Sequence, residues 1–254
     1  MFAEQRRSMI LDLLVRRGSV SVTELHRRLD VSRETIRRDI NALAADHHLQ
    51  KTHGGALSVD SVEPAISERM SVNIEGKRAI GRMAAGMVAD GTSLIIDSGT
   101  TTLCLAEALA GRHRLTVYTN DIQVAARLAG RHDNRVFILG GEVVGGEGAM
   151  VGRDTTTMLE NYYADFTFVG ASALSSGHGL TDYTREAAEL RKLMLTNART
   201  TVLLADHSKF KRIAPVKVSS LEGLDHLITD SPLKDDAATY FKNLKCEVLI
   251  AGKA

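Results

Sequence analysis

The fold class this 254-residue sequence predicts is a short N-terminal winged helix-turn-helix, mainly α, followed by a larger α/β domain with a largely parallel sheet. Three observations predict it. Two short amphipathic helical patterns near the N-terminus are separated by a turn of about three residues, and the second carries arginines away from its apolar stripe. A β-like run ending in Gly54-Gly55 follows them. From about Gly76 onward, short apolar β-rich runs alternate with helical stretches, as strands covered by helices on both faces require.

The first helix is expected over Ala3–Arg17, with Met9, Ile10, Leu13 and Leu14 on one stripe and Gly18 as the stop. Ser21 and Glu24 have the spacing of a capping box that opens a second helix, whose core face is Val22, Leu25 and Leu29. Asp30-Val31-Ser32 is a tight connection, and Ser32 is a suitable N-cap for a third helix running from Arg33 to about Asp46. Its apolar stripe is Ile36, Ile40 and Leu43. Rotation away from that stripe exposes Glu34, Arg37, Arg38 and Asn41, with Arg33 and Thr35 at the margins. A helix of this kind in a helix-turn-helix enters the DNA major groove, where its N-terminal side chains reach base edges and arginine grips guanine with two hydrogen bonds. Lys51 and His53, on the β-like run, suit a wing lying along the phosphate backbone. Residues 1–57 form this domain, and 58–75, with Ser, Asp, Glu and Pro64 and little periodicity, read as a partly helical linker.

Residues 76–254 form the second domain. Ile80, Met83, Ala84, Met87 and Val88 mark an amphipathic helix. Strands are expected at Ser93–Ile96, Leu115–Tyr118, Val136–Leu139, Phe166–Val169, Thr201–Ala205, Asp225–Ile228 and Val248–Ile250. Helices are expected at Thr102–Ala110, Ile122–Ala129 and Arg185–Ala198. Parallel α/β sheets bind ligands beyond the carboxyl ends of their strands. The residues just after the apolar runs are Asp97-Ser98-Gly99-Thr100, Thr119-Asn120-Asp121, Gly140-Gly141, Gly170-Ala171-Ser172 and Asp206-His207-Ser208-Lys209, which are mostly small or polar.

The sharpest of these segments is Asp97-Ser98-Gly99-Thr100-Thr101-Thr102, between a strand and a helix. Gly99 allows close backbone approach, the helix start offers N–H groups, and the hydroxyls add donors, which together suit a phosphate group. It is neither a Walker loop nor G-x-G-x-x-G, which argues against a nucleoside triphosphate or dinucleotide. A threonine-rich helix cap is the plain alternative. Lys209 supplies a cation at another strand end, or is simply solvated.

The 32 basic and 31 acidic residues leave a net charge of +1, so any nucleic-acid contact has to be local. The first 56 residues hold ten Lys/Arg against seven Asp/Glu. Cys104 and Cys246 are far apart, without metal-ligand spacing, and read as buried thiols of a reducing cytosol. The scattered histidines show no helical zinc pair. No signal peptide or membrane-length apolar run is present, and a cytoplasmic protein without cofactor or metal is expected.

Val31-Ser32-Arg33-Glu34-Thr35-Ile36-Arg37-Arg38-Asp39-Ile40, followed by His53-Gly54-Gly55-Ala56, resembles the N-terminal signature of DeoR-family regulators, VS-x-x-TIRRDL and then HGGA. The family commonly has Gly near the end of the third helix, where this chain has His47-His48. Asp97–Thr102, Thr119-Asn120, Gly140-Gly141, Gly179-Leu180-Thr181 and Asp206-His207-Ser208-Lys209-Phe210 resemble the family's C-terminal sensor domain, so the resemblance covers nearly the whole chain. It implies a fold like that of sugar-phosphate isomerases and a phosphorylated sugar or polyol as effector. Asp97–Thr102 would then hold the phosphate. Asp97, Asn120, Asp182, Asp206 and Lys209 would meet the hydroxyl-bearing part, although the Gly177-His178-Gly179 loop leaves the direction of Asp182 open. The expected function is regulation of transcription, usually repression, by a homodimer or homotetramer on paired operator half-sites. The competing expectation is a sugar-phosphate isomerase with an N-terminal oligomerisation arm, using Asp97, Asp182, Glu186, Asp206 and Lys209 as acid, base and cation.

Overall fold

The computed structural model describes residues 2–17, 19–46, 48–52, 54–58, 62–144, 146–210 and 212–252. Gly18, His47 and His53, each given a role or a departure above, lie outside them. The chain divides into two compact units, Met1–Glu63 and Pro64–Ala254.

In the first unit, α1 (Ala3–Arg17), α2 (Val22–Leu29) and α3 (Arg33–Ala45) pack with a three-stranded antiparallel sheet. Its strands are β1 (Ser19–Ser21), β2 (Leu49–Lys51) and β3 (Gly55–Ser58), in the order β1-β3-β2. The expected stripes converge: Ile10, Leu13 and Leu14 of α1, Leu25 and Leu29 of α2, and Ile36, Ile40 and Leu43 of α3 form one core with Val20, Leu49 and Ala56. Each fully buried aliphatic side chain stabilises by roughly 1.5–3 kcal/mol, which is how so small a unit holds together. Both caps form, the Ser21 hydroxyl accepting the Glu24 N–H at 3.1 Å and the Ser32 hydroxyl accepting the Thr35 N–H at 3.1 Å. Asp30 takes the left-handed conformation at the end of α2, φ 50°, and this makes the connection to α3 tight. The β2–β3 hairpin closes with Thr52 N–H donating to the Gly55 carbonyl at 3.0 Å.

The second unit begins with α4 (Ile66–Ser71) and α5 (Ile74–Gly86), so much of the stretch expected as linker is folded here. Arg69 of α4 pairs with Glu147 and donates from Nε to the Pro64 carbonyl at 2.9 Å. There follow β4 (Ser93–Ile96), α6 (Thr100–Ala108), β5 (Thr116–Thr119), α7 (Ile122–Leu128), β6 (Arg135–Ile138), the short strands β7 (Glu142–Val143) and β8 (Met150–Val151), α8 (Arg153–Leu159), β9 (Ala164–Gly170), β10 (Ala173–Ser175), β11 (Gly179–Asp182), α9 (Arg185–Met194), β12 (Ala198–Leu204), a 3₁₀ turn His207–Lys209, β13 (Val216–Ser219), β14 (His226–Thr229), α10 (Asp235–Asn243) and β15 (Glu247–Ile250).

Seven strands form one parallel sheet in the order β15-β14-β12-β9-β4-β5-β6, and they coincide with the seven apolar runs of the sequence. Strand side chains alternate between faces. Leu94 and Ile96 enter one core with Ile80 of α5, Leu105 of α6 and Val124 of α7. Ile95 enters the other with Leu159 of α8, Met194 of α9 and Phe241 of α10. The sequence reading did not place α8, α10 or the small sheet β10-β11-β13. The loop around Gly177 and His178 is the turn of the β10–β11 hairpin, with Leu174 opposite Leu180. Chain order reverses at β4: β5 and β6 lie to one side and β9 and β12 to the other. The crevice at the carboxyl ends of β4 and β9 is therefore the topological switch point.

Candidate functional sites

In the first unit, Ser32, Arg33, Glu34, Arg37, Arg38 and Asn41 are exposed and Thr35 is half-buried, as the stripe requires. Arg38 lies 3.7 Å from Glu34 on the open face, a surface pair that contributes little. Arg37, Asn41 and Glu34 of α3 and Lys51 and Thr52 of the hairpin line one cleft of about 550 Å³. Helix and wing thus present cationic side chains to a common groove. Behind this face, Asp39 of α3 is buried and held by Arg6 of α1, whose Nε donates to Oδ2 at 2.6 Å, and by Arg7 at 3.3 Å. Asp39 had no role in the sequence reading; it locks α3 to α1.

In the second unit, the strand ends sort into groups already engaged and groups with bonding capacity left. Asp97 follows β4 and is 1% exposed. Its Oδ1 accepts the Ser98 N–H at 2.8 Å, and Oδ2 accepts the Gly170 N–H at 3.0 Å and Nε of Arg191 at 2.7 Å. Arg191, from α9, also donates to Ser172 Oγ at 2.7 Å and to the Asp182 carboxylate. Burial pushes the Asp97 carboxyl up and the Arg191 guanidinium opposes it. Asp97 and Asp182, 85 residues apart in sequence, are thus tied by one buried arginine at the switch point. A carboxylate offers about four acceptor sites, and protein donors take three on Asp97. Its role is first that of a clamp between β4 and β9.

Gly99 has φ 142°, a conformation that side-chain-bearing residues rarely adopt, and it turns the chain into α6. Thr100, Thr101 and Thr102 are buried, and Thr102 Oγ1 donates to the Gly99 carbonyl at 2.9 Å. The expected helix Thr102–Ala110 starts two residues earlier, at Thr100, so all three threonines lie in its first turn. The first-turn amides of an α-helix lack intrahelical partners and bring partial positive charge to the crevice. Burial pushes the carboxyl of Asp121, the N-cap of α7, up, and the Gln123, Val124 and Gly99 amides oppose it.

Thr119 is fully buried, and its hydroxyl accepts the Asp121 N–H at 3.2 Å. Asn120 donates to the Met150 carbonyl at 3.0 Å and to Ser98 Oγ at 3.4 Å, while its buried Oδ1 has no partner among the described residues. Gly140 and Gly141 follow β6, two strands from β4, and the Gly140 carbonyl accepts Thr155 Oγ1 at 2.6 Å. They pack against α8 rather than joining Asp97. Asp206 follows β12 and is fully buried; Oδ1 accepts the Ser208 N–H at 3.0 Å, and Oδ2 has no partner among the described residues. Burial lowers the Lys209 pKa to about 8, with the Asp206 carboxylate opposing and Lys77, Arg69 and Arg212 adding to the fall. Asp206 and Asp97 close strands two apart, roughly 10 Å at 4.8 Å per spacing. That is the span of a small phosphorylated molecule.

The DeoR-like helix-turn-helix domain matches residues 6–62, and the DeoR C terminal sensor domain matches residues 72–231. The chain belongs to the DeoR family. It is 34% identical over 229 residues to the glycerol-3-phosphate regulon repressor of Escherichia coli, covering 90% of this chain and 91% of that one. It is also 34% identical over 253 residues to the HTH-type transcriptional regulator GolR of Listeria innocua, covering 99% and 100%. Among solved structures, ribose 5-phosphate isomerase A of Methanocaldococcus jannaschii aligns over 53% of each chain at 19% identity, with a TM-score of 0.38. This DeoR-family chain is a DNA-binding transcription regulator with a sensor domain for a small ligand, and not an enzyme. Among the described residues no helix is long and apolar enough to cross a membrane.

Arg191, which ties Asp97 to Asp182, and the buried Lys77 of α5 are cations that the sequence reading missed. Each is a cation on the apolar stripe of its helix, Arg191 between Ala188 and Met194, and Lys77 before Ile80 and Ala84. A charge at such a position signals a buried partner.

Proposed function

We propose that this regulator represses a carbohydrate- or polyol-phosphate operon and that a phosphorylated sugar or polyol modulates its grip on DNA. Ser32, Arg33, Glu34, Thr35, Arg37, Arg38 and Asn41 read the major groove, and Lys51 and the wing follow the phosphates. The effector's phosphate sits over the first turn of α6, against Ser98 and Thr100–Thr102, and its hydroxyls reach Asn120, Asp206 and Lys209. The observation that carries the reading is that, among the described residues, the buried side-chain oxygens lacking a partner include Asn120 Oδ1 and Asp206 Oδ2, which follow the strands flanking β4 and β9. Buried polar atoms are nearly always satisfied, and a hydroxyl- or amine-bearing ligand at this sheet edge would satisfy these. The names of the relatives place glycerol 3-phosphate first in the panel to be tried. The protein acts in the cytoplasm as a homodimer or homotetramer, because paired half-sites ask for paired recognition helices.

The test is operator binding by the full chain, by fluorescence anisotropy across a salt series, with and without phosphorylated polyols and sugars. The expected result is a salt-sensitive preference for the chain's own promoter over random DNA, altered by one phosphorylated compound and not by its dephosphorylated form. Equal binding to all DNA would defeat the reading of the first unit. A ligand at 100 times its dissociation constant adds ~2.7 kcal/mol to stability, so thermal shift identifies it independently.

A further inference from the structure

The small sheet β10-β11-β13 leaves the outer edge of β13 without a neighbouring strand among the described residues. A cleft of about 550 Å³ lies between that strand and α9. On the strand side all four residues of β13, Val216–Ser219, line it. Successive strand residues point to opposite faces, so a cleft that touches all four follows the backbone edge rather than one face. On the helix side the lining residues are Arg185, Ala188, Glu189 and Lys192, whose spacing is that of a single helical face. The edge ends at Ser220, whose carbonyl accepts the Tyr240 hydroxyl. A bare strand edge beside a helix is the groove in which an extended peptide adds as a further strand, its main chain bonded to the edge.

The charge of the cleft says what such a peptide carries. Its ionisable residues are Arg185, Lys192 and Lys217 against Glu189, and all are exposed. Glu189 is engaged, accepting from Nε of Arg185 at 2.7 Å. Lys192 and Lys217 make no ion pair among the described residues. We infer that the α9–β13 cleft docks an extended acidic segment of a partner protein, which pairs with β13 and brings carboxylates to Lys192 and Lys217. A second copy of the same edge fits worse. Antiparallel self-pairing sets Lys217 opposite or diagonal to its own copy, and like charges so placed repel. A lysine on an edge strand discourages indiscriminate pairing for the same reason, and an acidic strand turns that repulsion into attraction. Nucleic acid would meet the lysines but leave the N–H and C=O groups of the edge unused. The inference uses none of the crevice residues and stands without the effector reading.

The experiment presents a displayed library of random seven-residue peptides to the full chain and measures the enriched sequences by fluorescence anisotropy. They are expected to be rich in Asp and Glu and to bind Lys192→Glu and Lys217→Glu at least tenfold more weakly than wild type. Lys217→Arg should keep most of the affinity. Both lysines are exposed, so the melting temperature and operator affinity of the glutamate variants should match wild type. Bound peptide should slow amide hydrogen exchange in Val216–Ser219, and N-methylation of alternate peptide amides should abolish binding. No enrichment, or enrichment of neutral or basic peptides, overturns the inference. So does an acidic peptide that binds both glutamate variants within twofold of wild type, or one that leaves exchange in β13 unchanged. An oligonucleotide that binds with the same dependence on the two lysines while no peptide does assigns the surface to nucleic acid. Self-association lost in Lys217→Glu, with no peptide bound, assigns it to a second copy; either outcome overturns the acidic partner.

Discussion

Arg37 stands exposed in the cleft shared by α3 and the hairpin, beside Lys51, and nothing in the core depends on it. Arg37→Ala should cost operator binding ~1–3 kcal/mol if the side chain reads a base, with melting temperature unchanged; anisotropy and a thermal melt check both. Asp39, one turn along from Thr35, is the reverse case. It lies 3% exposed between Arg6 and Arg7, and removing one partner of a buried pair costs about 3–5 kcal/mol. The Arg7 contact is 40% exposed and adds little, so Asp39→Ala should lose about 3 kcal/mol, measured by denaturant unfolding. The two residues are near neighbours in the signature that resembles the family, yet one faces solvent and the other the core. Helical phase alone tells them apart, because Asp39 lies between Ile36 and Ile40 on the buried stripe.

At the scale of elements, close approach decides more than propensity. Gly55 starts β3, and a Cβ there would fall 2.8 Å from Ser21 Cα and closer still to the Val20 carbonyl. Gly55→Ala must therefore push β3 away from β1, tilting the hairpin that carries Lys51. Weaker operator binding and a lower melting temperature are expected together, and operator binding at wild-type strength would show that the wing is dispensable. Neighbouring Gly54 meets nothing within 4 Å and should tolerate alanine better. The element α9 has a comparable constraint from a side chain: Arg191 reaches across to β4 and β11, joining elements far apart in sequence. This also separates the regulator from the isomerase alternative. Asp97 and Asp182 are occupied by a guanidinium and backbone amides, and a carboxylate so held is a poor general base.

For the whole molecule, the coupling between effector and DNA is what the two units exist to provide, and a ligand shifts such an equilibrium only by binding its states unequally. Thr101→Ala, in the first turn of α6, should blunt the response to effector while leaving ligand-free operator binding intact. An unaltered dose–response curve would move the phosphate elsewhere. The pH dependence of effector affinity is a second test. Lys209 titrates at about 8 in the unliganded chain because burial disfavours its charge. An anion favours the protonated amine, so affinity should be steady from about pH 7, above the second phosphate ionisation at ~6, to about 8 and fall towards tenfold per unit above it. Lys209→Arg, charged throughout, should flatten that fall. The unliganded fold moves the other way: between about 8 and 10.5 the unfolded lysine holds a proton that the folded one has lost, so this residue adds stability as pH rises.

Periodicity and capping are local, and the sequence by itself determined what depends on them. That covers the helix-turn-helix, the exposed face of α3, the seven strands of the parallel sheet and the polar residues at their carboxyl ends. Charges on apolar stripes, at Asp39 and Arg191, were equally visible, but Arg6 lies 33 residues from Asp39 and Asp97 lies 94 from Arg191, and no local rule names such partners. Only the tertiary structure decided that Asp97 and Asp182 share an arginine, and that Gly140 and Gly141 serve α8. It also decided that Asn120 and Asp206 each have a buried oxygen without a partner among the described residues. The physical reason is that a hydrogen-bond inventory depends on what burial brings within 3 Å, and burial is a property of the packed sheet rather than of any one segment.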